Sequence, residues 1–165
     1  MEASNDLPVD VFTELGRVTW AAIMLEDSIK WLCSLIWPHD PRTSPTIGKM
    51  LGNARSELSR WPSSPARKDA LGWLDHADKA IEARNAILHA TPLTLADSEA
   101  PEESPRQFLG EMPRRSGQPY QERPMTVESL VAVRDLLAEA AAGWREVILA
   151  VAEARIGVQA PGGGR

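Results

Sequence analysis

Three side chains near the end of a predicted helix could do chemistry together in this 165-residue chain. They are Arg84, Asn85 and His89, within the segment Arg-Asn-Ala-Ile-Leu-His. A histidine that titrates near neutrality can take or give a proton, and an arginine can hold two phosphate oxygens at once. Asn85 and His89 are one helical turn apart, so they can act on the same ligand. The pattern predicts cleavage of a phosphodiester without a metal ion.

Each of these residues would have a separate role in that chemistry. His89 would take the proton of a 2′-hydroxyl or give one to the leaving 5′-oxygen. Arg84 would hold the non-bridging phosphate oxygens and offset the charge that grows in the transition state. Asn85 would orient His89 or the phosphate. RNA carries the 2′-hydroxyl that this chemistry needs, and it is therefore the expected substrate.

The R-N-x-x-x-H motif of Arg84, Asn85 and His89 resembles the R-x(4–6)-H signature of the HEPN superfamily, a group of helical domains that includes many metal-independent ribonucleases. The resemblance implies an all-α, HEPN-like fold and a homodimer in which two protomers form one composite cleft. It also implies an endoribonuclease of the toxin or defence type, whose products carry a 2′,3′-cyclic phosphate and a 5′-hydroxyl. In such toxin systems the partner is often a small nucleotidyltransferase-like protein, so a cognate antitoxin of that kind is an expected partner.

A function from another class fits the same residues. Many HEPN-like proteins bind nucleotides or partners without cutting RNA, so the chain could be a non-catalytic, dimeric interaction module. Arg84 and His89 could also be two cations at a helix C-terminus, where the helix dipole favours positive charge. The surroundings of Arg84 distinguish these hypotheses. An open dimer cleft shared with His89 favours the enzyme, whereas an intrachain ion pair, with His89 alone in solvent, favours the module.

Acidic residues could support the motif. Arg84 falls in the middle of an apolar arc of its predicted helix, where an unpaired guanidinium is costly. Glu26 interrupts the apolar run of the first helix, so it could pair with Arg84, assist catalysis, or lie on the surface beside Asp27 and Lys30. Glu82 is a second candidate, within a polar stripe that is otherwise expected to face solvent (Asp75, Asp78, Asn85, His89). No Asp, Glu and His set has the spacing of a metal site, so neither a metal nor a cofactor is expected.

A proline-rich segment separates the motif from the last predicted helix. Residues 92–124 contain six prolines and little periodicity, which predicts a long loop that could hold a short hairpin around Phe108 to Tyr120. Its second half is basic and could hold RNA phosphates near the cleft (Arg106, Arg114, Arg115, Arg123). Those arginines could equally pair with acids in the first half of the same loop (Asp97, Glu99, Glu102, Glu103).

The overall composition limits the class of protein. The net charge of −5 disfavours general coating of nucleic acid, so any contact with RNA must be local. The single cysteine, Cys33, lies in an apolar run and is expected to be a buried thiol in a reducing compartment. The first residues lack the features of a signal peptide, and no apolar run is long enough to span a bilayer, so a cytoplasmic protein without membrane contact is expected. Most of the six tryptophans lie in apolar helical stretches, where they would be core or interface anchors.

Apolar periodicity predicts an up-and-down four-helix bundle. In the first helix, apolar residues recur in steps of four and three from Val11 to Ile36, and a similar pattern recurs from Leu130 to Val151. A weaker second helix is expected at about 45–61. Ser64 should cap a third helix that runs to about residue 90, and Thr126 should cap the fourth. We expect one domain over residues 1–157, with the 92–124 loop as an insert, and a disordered tail over 158–165.

Overall fold

The computed structural model describes residues 9–37, 45–88, 91–94, 108–111 and 122–159, with the three strands, Leu88 and residues 156–159 described by their backbone alone. Five helices follow one another along the chain: α1 (Val9–Ile36), α2 (Ile47–Ser59), α3 (Pro65–Leu88), α4 (Val127–Ala142) and α5 (Trp144–Gln159). They pack into a helical bundle, which confirms the predicted all-α architecture. The first two residues of the expected tail, 158 and 159, belong to α5, and 160–165 lie outside the described residues.

Side-chain caps set where three of the helices begin. The Ser64 hydroxyl accepts a hydrogen bond from the Arg67 backbone N–H at 3.2 Å, as its predicted role as a cap requires. At α4 the cap is reciprocal, because the Thr126 hydroxyl accepts from the Ser129 N–H and the Ser129 hydroxyl accepts from the Thr126 N–H. The structure adds a cap that the sequence analysis missed, Thr46 at the start of α2.

The last predicted helix is divided in two at Gly143. The buried indole N–H of Trp73, on α3, donates to the carbonyl of Ala140 at 2.9 Å. In an unbroken helix that carbonyl accepts from residue 144, so the tryptophan competes for it and interrupts the ladder. The Trp73 ring also lies beside Gly143, 3.6 Å from the position that a β-carbon would occupy. A contact between helices, which no pattern within residues 126–151 reveals, therefore ends α4.

The core lies along the apolar stripe of α1 that the periodicity predicts. Its members from Val11 to Ile36 are buried, and Leu15 is partly buried. Cys33 is buried within this stripe, as expected, and its burial raises the pKa of the thiol to about 12 against the opposing effect of the nearby Arg55 charge. The remaining helices complete the core with aliphatic side chains and one tryptophan (Leu51, Leu58, Trp73, Leu74, Leu130, Leu137, Val151).

Two contacts establish the direction of the last helices. Near the start of α1, Glu14 accepts a hydrogen bond from Arg134 of α4 at 3.0 Å. Near its end, the carbonyl of Leu35 accepts from Arg155 of α5. Early residues thus meet early residues and late ones meet late ones, so α4 and α5 run in the same direction as α1. In an up-and-down bundle of four helices, by contrast, the first and last helices would be antiparallel.

Three short strands lie between α3 and α4: β1 (Thr91–Thr94), β2 (Phe108–Glu111) and β3 (Glu122–Met125). They form an antiparallel sheet in chain order, with residue 93 opposite 109 and residue 109 opposite 124. The expected hairpin near Phe108 to Tyr120 thus has a strand at its first end, but its partner begins after Tyr120. None of the helices in the described ranges is long and apolar enough to cross a membrane.

Candidate functional site

Arg84 projects from the last turns of α3 toward α1, between the two helices. Its neighbours at the preceding turns, Ala77, Ala80 and Ile81, are buried in the core. The Arg84 side chain is 19% exposed, so its guanidinium lies at the edge of the core and does not extend into bulk solvent. This is the position that the helical pattern predicts, a cation within an apolar arc, and the structure provides it with an acidic partner.

Glu26 of α1 is that partner. Its carboxylate forms an ion pair with the Nη2 atom of Arg84, and its side chain is 24% exposed. The sequence left three alternatives for Glu26, and the structure shows pairing with Arg84. The pair joins residues that are far apart in the chain and closes the contact between α1 and the end of α3. Charge is neutralised where solvent is scarce, which limits the cost of placing an arginine there.

Asn85 completes the immediate surroundings of the guanidinium. Its side-chain oxygen accepts a hydrogen bond from Nη1 of Arg84 at 2.8 Å. The Nε atom of Arg84 is buried and has no hydrogen-bond partner among the described residues. Burial lowers the pKa of Arg84 from its ordinary value, because the charged form loses solvation. Within the described part of the chain, Arg84 is therefore held at two of its nitrogens, and the third is a buried donor without an acceptor there.

The other predicted site residues are only partly placed. Glu82 is exposed on α3. His89, the proposed proton carrier, lies outside the described residues, as do Arg106, Arg114 and Arg115 of the proposed RNA-binding group. Arg123 belongs to β3, whose side chains are not described. The structure therefore brings together Arg84, Asn85 and Glu26, and the placement of His89 beside them stays a prediction.

A second arginine joins helices on the other side of α3. Arg55 of α2 donates from Nε to Asp75 at 3.1 Å and from Nη2 to Asp78 at 2.9 Å. The same Nη2 also donates to the backbone carbonyl of Leu74 at 3.2 Å. The helical spacing predicts that the stripe with Asp75 and Asp78 faces solvent, with charged neighbours from α3 only. The expectation was incomplete, because the partner lies about 20 residues away on another helix and intrahelical spacing cannot reveal it.

A buried carboxylate at the start of α1 was also missed. Glu14 is buried and is held by Arg17 of its own helix and by Arg134 of α4. The only available signal was its place among the apolar positions of α1, between Val11 and Val18. Both its charge partners and its burial assign it to the packing of α1 against α4. Within the described part of the chain, no three His, Cys, Asp or Glu side chains are grouped as metal ligands would be.

No family model matches this chain, and no curated protein and no solved structure is similar enough to count as a match.

Proposed function

We propose that this protein is a metal-independent endoribonuclease of the HEPN toxin or defence type. The observation that carries the proposal is the partly exposed guanidinium of Arg84 at the edge of the core, which Glu26 of another helix and the motif residue Asn85 hold in place. The intrachain pair meets one of the two conditions that would favour the module, and the other condition concerns His89, which lies outside the described residues. An arginine that must meet a phosphate at a defined point gains from such a support, because its long side chain is otherwise free to turn.

The guanidinium keeps donors for a phosphate while it is paired. A guanidinium carries five N–H groups, and Glu26 and Asn85 need one each. The remaining Nη hydrogens could bind the non-bridging oxygens of the scissile phosphate and offset the charge of the transition state. Glu26 acts here as a positioning residue, since it touches the arginine and not the substrate.

The chemical step is an intramolecular transesterification at the phosphate. His89 takes the proton of the 2′-hydroxyl, and the 2′-oxygen attacks phosphorus as the bond to the 5′-oxygen breaks. The leaving 5′-oxygen receives a proton, from a second His89 where two protomers share a cleft. The products are a 2′,3′-cyclic phosphate and a 5′-hydroxyl, and no water, metal or cofactor enters the balance. A cognate antitoxin would act by covering this site.

The experiment that tests the proposal is cleavage of total RNA by the purified protein in the presence of EDTA. We expect cutting by the wild type and its loss in His89→Ala and in Arg84→Ala. Arg55→Ala is the matched control, because it also removes an arginine that bridges two helices. Cutting that survives His89→Ala, or that disappears equally in Arg55→Ala while the protein stays folded, would contradict the proposed site.

The second candidate is a non-catalytic interaction module that binds a nucleotide or a protein partner. One observation favours it, the intrachain pairing of Arg84 with Glu26, which neutralises much of the charge that a phosphate would meet. The same assay separates the two functions. A folded wild-type protein that cuts no RNA under any of these conditions would favour the module.

A further inference from the structure

The outer face of α1 carries a second apolar stripe that nothing in the described structure covers. It consists of Phe12, Gly16, Trp20, Ile23, Asp27 and Trp31, which we call the outer stripe. Phe12 is 70% exposed, Trp20 66% and Trp31 64%, whereas the opposite face of α1 is buried in the core. Large aromatic side chains in such numbers are rare on the surface of a monomer unless they mark a contact site.

The spacing of the outer stripe is the same from either end. The steps between its members are four, four, three, four and four residues. A helix with this spacing can pair with an antiparallel copy of itself about a two-fold axis near residues 21 and 22, so that each member meets a member. Phe12 would then lie against Trp31 of the other copy, Gly16 against Asp27, and Trp20 against Ile23.

The chemistry at these positions supports that register. Gly16 has open space above it, with no atom within 4 Å of the position that a β-carbon would occupy. The Asp27 side chain of the other copy would enter this space beside Arg17, which is 59% exposed and next to Gly16 in sequence. Asp27 is equally exposed. Within each chain Asp27 pairs with Lys30 through one oxygen and Arg17 pairs with Glu14 through Nη1, which leaves the other carboxylate oxygen and the other guanidinium nitrogens to pair twice across the interface. Each aromatic or aliphatic member would meet another such member, and Asp27 would lie against Gly16 and beside Arg17 of the other copy.

We propose that the outer stripe of α1 is the interface of a homodimer in which the two α1 helices pack antiparallel. An aromatic side chain has an area of about 150–250 Å², so the three aromatic residues leave roughly 400 Å² uncovered on each copy. Val9, Ile23 and Met24 add further exposed apolar surface. The total approaches the roughly 800 Å² that each partner buries in an interface of standard size. A lipid surface fits less well, since anionic lipid requires a basic cluster and the outer stripe contains the acid Asp27 but no Lys or Arg.

The interface does not depend on the proposed function. The two-fold axis is perpendicular to both α1 helices, and it therefore keeps each flank of α1 on the same side of the dimer. The two Glu26–Arg84 pairs, which lie on one flank, would open on the same face. A dimer without ribonuclease activity, or an active protein that does not dimerise through α1, would separate the two proposals.

The first test is the oligomeric state of the full chain over a hundredfold range of concentration, by sedimentation equilibrium. Trp20→Glu and Ile23→Glu should each raise the dissociation constant of the dimer about tenfold or more, because each change acts twice in a symmetric interface. Leu149→Glu is the matched control, since Leu149 is 63% exposed but lies on α5. All three positions are exposed, so the monomer should stay folded, as circular dichroism would verify.

The second test fixes the register. Single variants Gly16→Cys and Asp27→Cys are mixed and oxidised, and we expect a disulfide between the two different chains. The native Cys33 is buried and should not compete. Linking of Gly16→Cys to itself would indicate parallel helices and overturn the register. A chain that stays monomeric, or that binds phosphatidylserine–phosphatidylcholine vesicles through Trp20 instead, would overturn the interface.

Discussion

Arg55 and Arg84 each join α3 to another helix, but their surroundings differ. Arg55 is held by two carboxylates and a backbone carbonyl, through Nε and Nη2. Arg84 has one carboxylate, the amide oxygen of its neighbour Asn85, and a buried Nε without a partner among the described residues. Burial also lowers the pKa of Arg84. Arg55 pairs with the acidic stripe of α3, and Arg84 lies within the apolar arc of the same helix.

This difference separates a residue that stabilises the fold from one that is kept at a cost. Two acids and a carbonyl satisfy Arg55 without any ligand, so packing of α2 on α3 accounts for it. Burial removes water from Arg84, and among the described residues fewer hydrogen bonds offset that cost than at Arg55. An aliphatic residue at that position would pack on the core without this cost. Arginines with incomplete partners in the resting structure are candidates for binding a ligand.

The largest expected difference between the two arginines is in RNA cleavage. Arg84→Ala should lower the rate of cleavage roughly 100- to 1,000-fold, the loss typical of a removed group that stabilises transition-state charge. Arg55→Ala should leave the rate of the folded protein unchanged within a few fold. Single-turnover cleavage of a defined RNA measures both. Equal losses of cleavage in the two variants would show that Arg84 and Arg55 do not differ in function.

The second prediction concerns Cys33. Burial raises the pKa of its thiol, and the nearby Arg55 charge opposes that rise by a smaller amount. Its folded pKa is about 12 against an ordinary value of 9.0, so above pH 9 the unfolded chain loses this proton first. The free energy of unfolding should therefore fall as the pH rises from 9 toward 12, by up to about 1.4 kcal/mol per pH unit from this group.

Denaturant titrations of wild type and Cys33→Ala across this range would measure that slope. The variant should lack the Cys33 contribution, although the two proteins share all other titrations. In Arg55→Ala the fall should extend to higher pH, because the nearby positive charge that favours the thiolate is gone. Identical slopes in wild type and Cys33→Ala would show that the thiol is accessible to solvent.

The third prediction is a loss of stability at the Arg55 cluster. Arg55→Ala should lower the free energy of unfolding by about 1–2 kcal/mol, since several charge-assisted hydrogen bonds are lost at a partly exposed site. A double-mutant cycle with Asp78→Ala isolates the contribution of that pair. Coupling indistinguishable from zero would mean that α2 packs on α3 without help from these charges.

The smallest expected effect is at the Glu26–Arg84 pair when both charges are removed together. The double variant Glu26→Gln/Arg84→Met should change the free energy of unfolding by less than about 1 kcal/mol, because the charges and the cost of burying them disappear at once. Thermal unfolding in parallel with wild type would measure it. A much larger loss would make this pair a structural link like that of Arg55 and would weaken the proposed function.

Much of the bundle could be predicted from the sequence because it depends on local signals. The apolar stripe of α1 and the caps at Ser64 and Thr126 act within a few residues, and the structure has each of them. The direction of α4 and α5 and the break at Gly143 depend on contacts with α1 and α3. Those contacts join residues more than 60 positions apart, and no periodic pattern records them.

The candidate site also has features that the sequence determined and features that only the tertiary structure decided. The residue types at 84, 85 and 89 and their helical spacing are properties of the sequence, and they suggested the chemistry. The choice of Glu26 as partner of Arg84, and the difference between Arg84 and Arg55, were decided by tertiary structure, because an ion pair forms only where packing brings two distant charges together and limits solvent. The outer stripe combines both. Its spacing was present in the sequence, but only the packing of α1 showed which of its two apolar faces remains exposed.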